Sequence, residues 1–234
     1  MRKTRQKPDT AAIIVAGGKG LRFGGRVRKQ YILLNGKPIV WWSLRAFEKS
    51  PSVQSMILVV PTEDVSQLSA KSRAWKFGKL TSIVCGGVTR ADSVRKGLSA
   101  VSETCQYVAV HDAVRPLIKP ETIERVIQAA RQSKAALAAC PSKDTVKLAN
   151  GDGCIHSTPA REKVWLAQTP QAFEINLLRR AHRIGKKVLA TDDAMLVERL
   201  GIKVRLVDAP ADNMKITTPI DLMIARAFMG TPSQ

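Results

Sequence analysis

Short apolar runs alternate with longer amphipathic stretches along most of this chain. A run of about four to eight apolar residues bounded by turn formers predicts a buried strand, whereas apolar residues three and four apart predict a helix. The pattern predicts strands at 12–15, 56–60, 82–85, 107–110, 135–140 and 203–207. It predicts helices at 39–49, 92–101 and 120–133, and further helices after Asp64, from Ile175, after Thr191 and from Pro219. This alternation is typical of an α/β protein with a doubly wound, mostly parallel sheet.

The alternation breaks at residues 142–165, where two short polar strand-like pieces surround Asn150, Gly151, Asp152 and Gly153. Asn-Gly and Asp-Gly pairs favour the tight turn of a β-hairpin. A polar two-stranded hairpin buries little by itself and is only marginally stable alone. We therefore expect a projecting β-arm that packs against a second copy of the chain in a homodimer.

Length and composition suggest one domain over residues 1–234, because no repeat or low-complexity linker marks a boundary. With 44% hydrophobic but only 5% aromatic residues, the core should be aliphatic. No apolar run approaches the length of about 20 residues that a membrane-spanning helix needs. Residues 1–10 are basic without an apolar stretch, which predicts a flexible tail rather than a secretory signal. The four cysteines form no CxxC pair, so reduced thiols in a cytoplasmic protein are expected instead of a zinc site.

The formal net charge of +19 indicates a polyanionic partner. Nucleic acid, an anionic membrane surface and small polyphosphates all meet that description. The cations are densest at 2–7, 22–29 and 179–187, without interleaved aromatic residues or a recognisable nucleic-acid-binding motif. This distribution favours a small molecule with several phosphates.

The first predicted strand opens into a loop rich in glycine and in basic residues. The glycines are Gly17, Gly18 and Gly20, and the cations that follow are Arg22, Arg26, Arg28 and Lys29. Backbone without side chains lets N–H groups approach a phosphate closely, and the cations add attraction. Ligands of α/β sheets sit at the carboxyl ends of strands, so this loop is predicted to hold a nucleoside triphosphate. The alternative is a glycine-rich turn without a ligand.

Two better-known phosphate motifs do not fit this loop. A P-loop requires Gly-Lys before Ser or Thr, and no Gly-Lys pair of the chain is followed by either residue. The dinucleotide fingerprint requires a third glycine three positions after the second, and Phe23 occupies that position. The loop therefore indicates a single nucleotide bound in another way.

Further polar segments follow predicted strands or begin predicted helices, at 86–93, 111–116, 167–171, 191–194 and 212–217. Gly86 and Gly87 could present peptide groups to a base or phosphate, although Thr89 or Asp92 could also serve only as a helix cap. The segments 167–171 and 191–194 are predicted to be polar starts of helices.

Asp112 and Lys215 are the strongest candidates for chemistry in these segments. Asp112 ends a predicted strand beside Arg115, where it could hold Mg²⁺ directly or through water. A purely structural Asp112–Arg115 pair is the alternative. Lys215 follows a strand between acids and a threonine, where it could reach a phosphoryl group. No GxSxG elbow or HExxH helix occurs, so covalent-nucleophile and zinc chemistry have no support.

Together these segments resemble the 2-C-methyl-D-erythritol 4-phosphate cytidylyltransferase family over residues 11–228. The resemblance lies in the order and spacing of AGGKGLR, KQY, GGVTRADSV, VHDAVRP, KDT, AQTPQAF, TDDA and ADNMKIT, and of an arginine before Trp165. It implies a Rossmann-like nucleotidyltransferase fold whose β-arm clasps a second subunit. It also implies transfer of a cytidylyl group from CTP to 2-C-methyl-D-erythritol 4-phosphate, with Mg²⁺ and release of pyrophosphate, in the non-mevalonate isoprenoid route.

The same resemblance implies roles for individual residues. The catalytic cations would be Arg22, Lys29 and Lys215. The nucleotide-binding residues would be Ala16, Gly17, Gly18, Gly20, Gly87, Arg90, Ser93 and Asp112, with Asp112 also near Mg²⁺. The acceptor-binding residues would be Arg115, Thr145, Arg161, Thr169 and Lys215, some of them reaching the partner's site from the arm. Arg28 stands where the family often has proline and Val88 where it commonly has aspartate, so peptide groups would read the base near Val88.

Two other functions share these features. A cytidylyltransferase for another polyol phosphate, such as ribitol 5-phosphate, would have the same nucleotide loops and differ only in its acceptor contacts. A basic nucleic-acid-binding module with a vestigial nucleotide fold would bind oligonucleotides in a steeply salt-dependent manner without turnover.

Overall fold

Seven strands form one central sheet in the structure, a computed structural model that describes residues 8–18, 27–187 and 189–230. The strands in chain order are β1 (Thr10–Val15), β2 (Leu33–Leu34), β3 (Lys37–Pro38), β4 (Val53–Val60), β5 (Leu80–Cys85), β6 (Tyr107–Asp112), β7 (Ala135–Pro141), β8 (Leu148–Ala149), β9 (Ile155–Ser157), β10 (Trp165–Glu174) and β11 (Arg205–Asp208). The helices are α1 (Ile39–Glu48), α2 (Val65–Ser72), α3 (Arg90–Ser99), α4 (Pro120–Ser133), α5 (Ile175–Ile184), α6 (Asp193–Glu198) and α7 (Pro219–Met229).

The strands of the central sheet follow the order β11-β7-β10-β6-β1-β4-β5. All neighbouring pairs are parallel except those of β10, which runs antiparallel to both β6 and β7. The predicted mostly parallel α/β sheet is therefore confirmed. The predicted bounds of α4 match the structure, and the strands predicted at 56–60 and 82–85 begin a few residues earlier than expected.

Helices cover both faces of the sheet, and each face has its own aliphatic core. On one face α1, α2 and α4 contribute side chains such as Phe47 and Ile127. On the other face α3, α5 and α6 contribute side chains such as Leu98 and Leu178. Strands covered on both faces need apolar residues at successive positions, which explains the continuous apolar runs in the sequence.

The start of α3 differs from its prediction for a local reason. The helix begins at Arg90, two residues before the predicted position, because Thr89 and Asp92 form a capping box. The Thr89 hydroxyl accepts a hydrogen bond from the Asp92 N–H at 3.0 Å, and the Asp92 carboxylate accepts one from the Thr89 N–H at 3.0 Å. Reciprocal bonds of this kind satisfy two N–H groups that otherwise lack partners at a helix start.

Segment 167–171 was predicted to start a helix, and this prediction is wrong. The segment lies inside β10, with Gln168 and Gln171 buried. Their amides are satisfied by distant parts of the chain: Gln168 accepts from Asn213 at 2.8 Å and Gln171 donates to Asp192 at 2.8 Å. Polar residues therefore occur in a buried strand because their partners are supplied from elsewhere. Segment 191–194 does begin a helix, with Asp192 as the N-cap of α6.

Residues 142–165 contain the predicted hairpin. Strands β8 and β9 pair antiparallel around residues 150–153, and Gly153 has a positive φ of 83° in the turn. Every residue from 147 to 158 is exposed. The projecting arm is therefore confirmed, whereas the homodimer stays a prediction.

Two further observations concern the helices and the cysteines. Within the described residues, no helix combines the length and apolar character needed to cross a bilayer. Cys85, Cys105, Cys140 and Cys154 are all free. The limits of the single domain stay a prediction, and most of the basic tail lies outside the described residues.

Helix α3 is seated closely on the sheet through Gly97. A Cβ atom at this position would lie 2.6 Å from Ile13 Cγ2 on β1 and 3.2 Å from Val59 Cγ2 on β4. Any larger residue would push the helix away from these strands. The glycine therefore fixes the distance between the start of α3 and the carboxyl ends of β1 and β4.

His111 joins β6 to β10 within the core. Its Nδ1 lies 3.0 Å from the Thr169 hydroxyl, and its Nε2 lies 3.3 Å from the Arg115 carbonyl oxygen. The Arg115 carbonyl can only accept, so Nε2 of the neutral ring carries the proton and Nδ1 accepts from the Thr169 hydroxyl, whose oxygen accepts the Asp112 N–H at 3.1 Å. Complete burial lowers the pKa of His111 to about 3, so the imidazole is neutral.

The burial of neutral His111 predicts a loss of stability in mild acid. Between pH 6.5 and pH 3 the unfolded histidine binds a proton that folded His111 does not bind, so the free energy of unfolding falls as the pH falls. From pH 7 to pH 5 this effect amounts to about 2 kcal/mol, measurable by urea denaturation.

Two variants separate this effect from the titration of other groups. His111→Gln should remove most of the pH dependence between pH 7 and pH 5, whereas His156→Gln on the exposed arm should retain it. An equal pH dependence in wild type and His111→Gln would contradict the assignment.

Candidate active site

A cleft of about 900 Å³ opens where β1, β5 and β6 end. Residues after β4 and the start of α3 complete its walls. Its charged lining residues, among those that the structure describes, are Arg28, Lys29, Glu63, Arg90, Lys96, Asp112 and Lys215. Cations therefore outnumber acids, and a concave wall concentrates their field, so the cleft attracts anions.

The first glycine loop is fixed from behind by Gln30. This side chain is 1% exposed, and its Nε2 donates to the carbonyl oxygens of Ala16 at 2.7 Å and Gly18 at 3.4 Å. Ala16, Gly17 and Gly18 line the cleft, whereas Gly20 lies outside the described residues. The contribution of Gln30 was not predicted; its place in KQY beside Lys29 was the only sequence signal.

The second glycine turn lies against the start of α3. A Cβ atom on Gly87 would fall 2.1 Å from Asp92 Cβ, so only glycine fits there. The Ser93 hydroxyl accepts the Gly87 N–H at 3.1 Å and donates to the Thr89 carbonyl at 3.0 Å. Gly87 and Ser93 line the cleft while Thr89 and Asp92 cap the helix, so the two interpretations of this segment are compatible. Val88 is 100% exposed.

Asp112 stands at the end of β6 among three cations. Its Oδ1 lies 3.3 Å from Arg90 Nε, and its Oδ2 lies 2.8 Å from Lys215 Nζ and 3.8 Å from Arg115 Nε. Burial alone would raise the pKa of Asp112, but Arg90, Lys215 and Arg115 together hold it below its usual range. The carboxylate is therefore charged, and its pair with Arg115 is the longest of its three ion pairs.

Long-range contacts place Lys215 beside Asp112. The Ile216 N–H donates to the Val114 carbonyl at 2.8 Å, which ties segment 212–217 to the residues that follow β6. Buried Asn213 donates to the Thr169 carbonyl at 2.9 Å and accepts from Arg115 through its own carbonyl at 2.8 Å. Residues about a hundred positions apart thus meet at one point of the cleft.

Lys29 reaches the cleft from a short 3₁₀ turn, Lys29–Tyr31. The neighbouring Arg28 forms ion pairs with Glu63 and, at 2.6 Å, with Asp64. The Tyr31 hydroxyl donates to the same Asp64 carboxylate at 2.8 Å. The turn is thereby anchored to the segment after β4. Arg22, the other predicted catalytic cation of this loop, lies outside the described residues.

Four predicted acceptor-binding residues do not line the cleft of the single chain. Arg115 and Thr169 lie behind it, where the Thr169 hydroxyl is held between the Asp112 N–H and His111. Thr145 and Arg161 are exposed on the arm. Their roles in acceptor binding stay predictions.

Lys96 is a lining residue that the sequence analysis missed. Its Nζ donates to the Gly86 carbonyl at 2.8 Å. Residues three apart share one face of a helix, and Lys96 follows Ser93 by three positions. That spacing was the signal that could have revealed it.

Asp112 gives the cleft a carboxylate, the type of oxygen donor that suits a divalent cation. The described residues contain no group of three or more His, Cys, Asp or Glu able to hold a metal. Asp112 supplies one carboxylate at the cleft, and Mg²⁺ commonly uses one or two carboxylates together with substrate phosphates and water. A site made by protein ligands alone is not indicated.

The sequence of the chain matches the 2-C-methyl-D-erythritol 4-phosphate cytidylyltransferase family over residues 10–231. A protein of that name from Geobacter metallireducens is 44% identical over 93% of this chain and 96% of its own length. Another of that name, from Pelotomaculum thermopropionicum, is 46% identical over 94% of this chain and 93% of its own length. Neither relative is named as a ribitol phosphate enzyme or as a nucleic-acid-binding protein.

Solved structures show the same fold. The 4-diphosphocytidyl-2C-methyl-D-erythritol synthase of Anaerococcus prevotii has a TM-score of 0.84 and 32% identity, with 94% of this chain and 95% of that chain covered. The 2-C-methyl-D-erythritol 4-phosphate cytidylyltransferase of Thermus thermophilus has a TM-score of 0.74 and 32% identity, with 95% and 98% covered. The chain therefore belongs to the 2-C-methyl-D-erythritol 4-phosphate cytidylyltransferase family of nucleotidyltransferase enzymes.

Proposed function

We propose that this cleft transfers the cytidylyl group of CTP to 2-C-methyl-D-erythritol 4-phosphate and releases pyrophosphate. The observation that carries the proposal is the meeting of two glycine turns with Lys29, Arg90 and Lys215 in one cleft, where Arg90 and Lys215 pair with the buried Asp112 carboxylate. The identity of the substrates follows from membership of the family, and the cleft has the positive charge that two phosphate-bearing substrates require.

The nucleotide would bind against the two glycine turns. Backbone groups of Ala16, Gly17 and Gly18 approach the phosphates, since no side chain of the glycines obstructs them. Gly87 and Ser93 form the other wall. The exposed Val88 side chain has no hydrogen-bonding atoms, so peptide groups of this turn would read the cytosine. Asp112 would lie near the ribose and the metal ion.

The reaction requires no strong general base in this site. A phosphate monoester has a second pKa of about 6, so the acceptor is already a nucleophilic dianion near neutral pH. One of its oxygens attacks the α-phosphorus of CTP in line, a new P–O bond forms, and the bond to the bridging oxygen of pyrophosphate breaks. His111 does not take part as a base, because burial lowers its pKa to about 3, which makes it a very weak proton acceptor, and because Arg115 and Thr169 occupy its two ring nitrogens.

The main task of the protein is to bring two anions together. Lys29 and Lys215, with Arg22 as the predicted third cation, would stabilise the charge on the α-phosphoryl group and on the departing pyrophosphate. A divalent cation such as Mg²⁺, bound to the phosphates and to Asp112 directly or through water, would neutralise phosphate charge. Fixed cations need no rearrangement during the reaction, which lowers its barrier.

The acceptor site would be completed by a second subunit. The hairpin from 147 to 158 has no buried residue, and its Leu148 and Ile155 side chains are exposed, which supports a homodimer that covers the arm. In that dimer Thr145 and Arg161 would bind the acceptor phosphate in the partner's cleft. Arg115 and Thr169 would support the acceptor from behind, through Asp112 and His111. The free cysteines support a cytoplasmic enzyme.

A pyrophosphate-release assay tests this function most simply. The wild-type protein with CTP and Mg²⁺ should release pyrophosphate with 2-C-methyl-D-erythritol 4-phosphate, and much more slowly with ribitol 5-phosphate. CTP should be preferred over UTP, because the base is read by fixed peptide groups. A higher kcat/KM with ribitol 5-phosphate would assign the chain to the other acceptor.

Mixed dimers test whether Arg161 acts in the partner's site. Lys29→Ala and Arg161→Ala should each be nearly inactive alone, the second mainly through a raised KM for the acceptor. The two variants are mixed one to one, unfolded together and refolded. The mixture should regain roughly a quarter of wild-type activity, since half of the dimers contain one chain of each kind and each such dimer has one intact site.

The control variant is Lys71→Ala, used in place of Lys29→Ala. It also removes one lysine charge, but from an exposed position of α2. Lys71→Ala alone should keep wild-type activity. Light scattering would show whether the Lys29→Ala and Arg161→Ala chains form dimers. If dimers form but activity does not recover, Arg161 acts in the site of its own chain or outside the site.

A further inference from the structure

A buried series of hydrogen-bonded polar side chains connects α5 with the cleft. Asp193, the first residue of α6, has a side chain that is 1% exposed. Its Oδ2 accepts from Arg90 Nη1 at 2.6 Å, and its Oδ1 lies 2.9 Å from His182 Nε2. Arg90 also donates through Nε to Asp112 at 3.3 Å. The guanidinium therefore lies between two carboxylates, of which only Asp112 lines the cleft.

The position of Asp193 is fixed by its neighbours. Gln171 on β10 accepts the Ala194 N–H at 3.0 Å and donates to Asp192 at 2.8 Å, so the start of α6 is attached to the sheet. His182 is buried, and among the described residues its Nδ1 has no hydrogen-bond partner, so its one hydrogen bond there is made through Nε2. These contacts hold the Asp193 carboxylate in place, so it has little freedom to move together with the Arg90 side chain.

The charges of this series depend on one another. Burial alone would raise the pKa of Asp193, but Arg90 and His182 hold it below its usual range, so the carboxylate is charged. Burial alone would lower the pKa of Arg90, and Asp193 and Asp112 raise it instead. Removing one member of such a buried pair leaves the other uncompensated.

Arg90 keeps one nitrogen for a ligand. Its Nη1 and Nε are bound to Asp193 and Asp112, and its Nη2 has no acceptor among the described residues. A guanidinium carries two N–H donors on that nitrogen. Because Arg90 lines the cleft, these donors are available to an anion there.

We propose that Asp193 is a positioning residue for the nucleotide. It anchors the Arg90 guanidinium from outside the cleft, so that Arg90 offers Nη2 to CTP and Asp112 stays paired with Lys215. Without the Asp193 charge, Arg90 pairs more closely with Asp112 and competes there with Lys215. This inference rests on the proposed function, since its ligand is CTP.

The test is CTP binding by isothermal titration calorimetry, with the full-length protein and its Asp193→Asn variant. The substitution keeps the shape of the side chain and removes the charge next to Arg90. The Kd for CTP should rise about 10-fold, the scale of one hydrogen bond to a charged group. Glu198→Gln is the matched control, because it removes an exposed carboxylate of the same helix without touching Arg90 or the start of α6. Its Kd should stay near the wild-type value.

A double-mutant cycle separates positioning from general loss of structure. If Asp193 acts through Arg90, Asp193→Asn should cause no further loss of CTP affinity in an Arg90→Ala background. It should also restore part of the thermal stability that Arg90→Ala loses, because the orphaned buried carboxylate disappears. An unchanged Kd in Asp193→Asn, or additive losses in the double variant, would overturn the inference.

Two further measurements distinguish failure of this inference from misfolding of the variant and from failure of the proposed function. If circular dichroism shows that Asp193→Asn does not fold, Arg90→Lys replaces it, since the single nitrogen of an ammonium lacks the planar set of donors with which Arg90 binds two carboxylates and offers a third nitrogen. Wild-type affinity in that variant would overturn the inference. Wild-type protein that fails to bind CTP would disprove the proposed function itself. Wild-type binding with an unaffected Asp193→Asn variant would disprove only the role of Asp193.

Discussion

The ion pairs of Asp112 are the interactions on which the site depends. One buried carboxylate at the end of β6 holds Arg90, Lys215 and Arg115 within 4 Å of itself, although these cations repel one another. Burial of a carboxylate is costly unless opposite charges surround it, and the cations in turn need its charge to remain close together. The result is a wall of fixed positive charge that exists before any substrate binds, as electrostatic preorganisation requires.

The fold brings these charges together through the parallel sheet. Strands β1, β5 and β6 end at the same edge, so the loops that follow them share one cleft. Gly97 seats α3 against β1 and β4, which sets where the start of that helix and Arg90 lie. The antiparallel strand β10 supplies the buried side-chain amides and the Thr169 carbonyl that fix segments 191–194 and 212–217 beside the cleft.

The sequence predicted those parts of the site that depend on strand ends, because the carboxyl ends of parallel strands converge whatever the details of packing. Gly17, Asp112 and Lys215 were predicted on that basis together with the family resemblance. Segment 167–171 was mispredicted and Gln30 overlooked for a common reason: both act through buried amides whose partners lie far along the chain. The sequence pattern shows that a residue is polar but not which distant residue forms its hydrogen bond. The arm's contribution to the acceptor site depends on a second chain, which no single-chain pattern contains.

The most direct test of this account is the kcat of an Asp112→Asn variant in the pyrophosphate-release assay at saturating CTP and acceptor. The amide keeps the shape of the carboxylate but no longer holds the cations in place. The account predicts a kcat lower by about 100-fold or more in a folded protein, because the cations are still present but no longer held in the arrangement that the reaction requires. A kcat close to that of the wild type would contradict it.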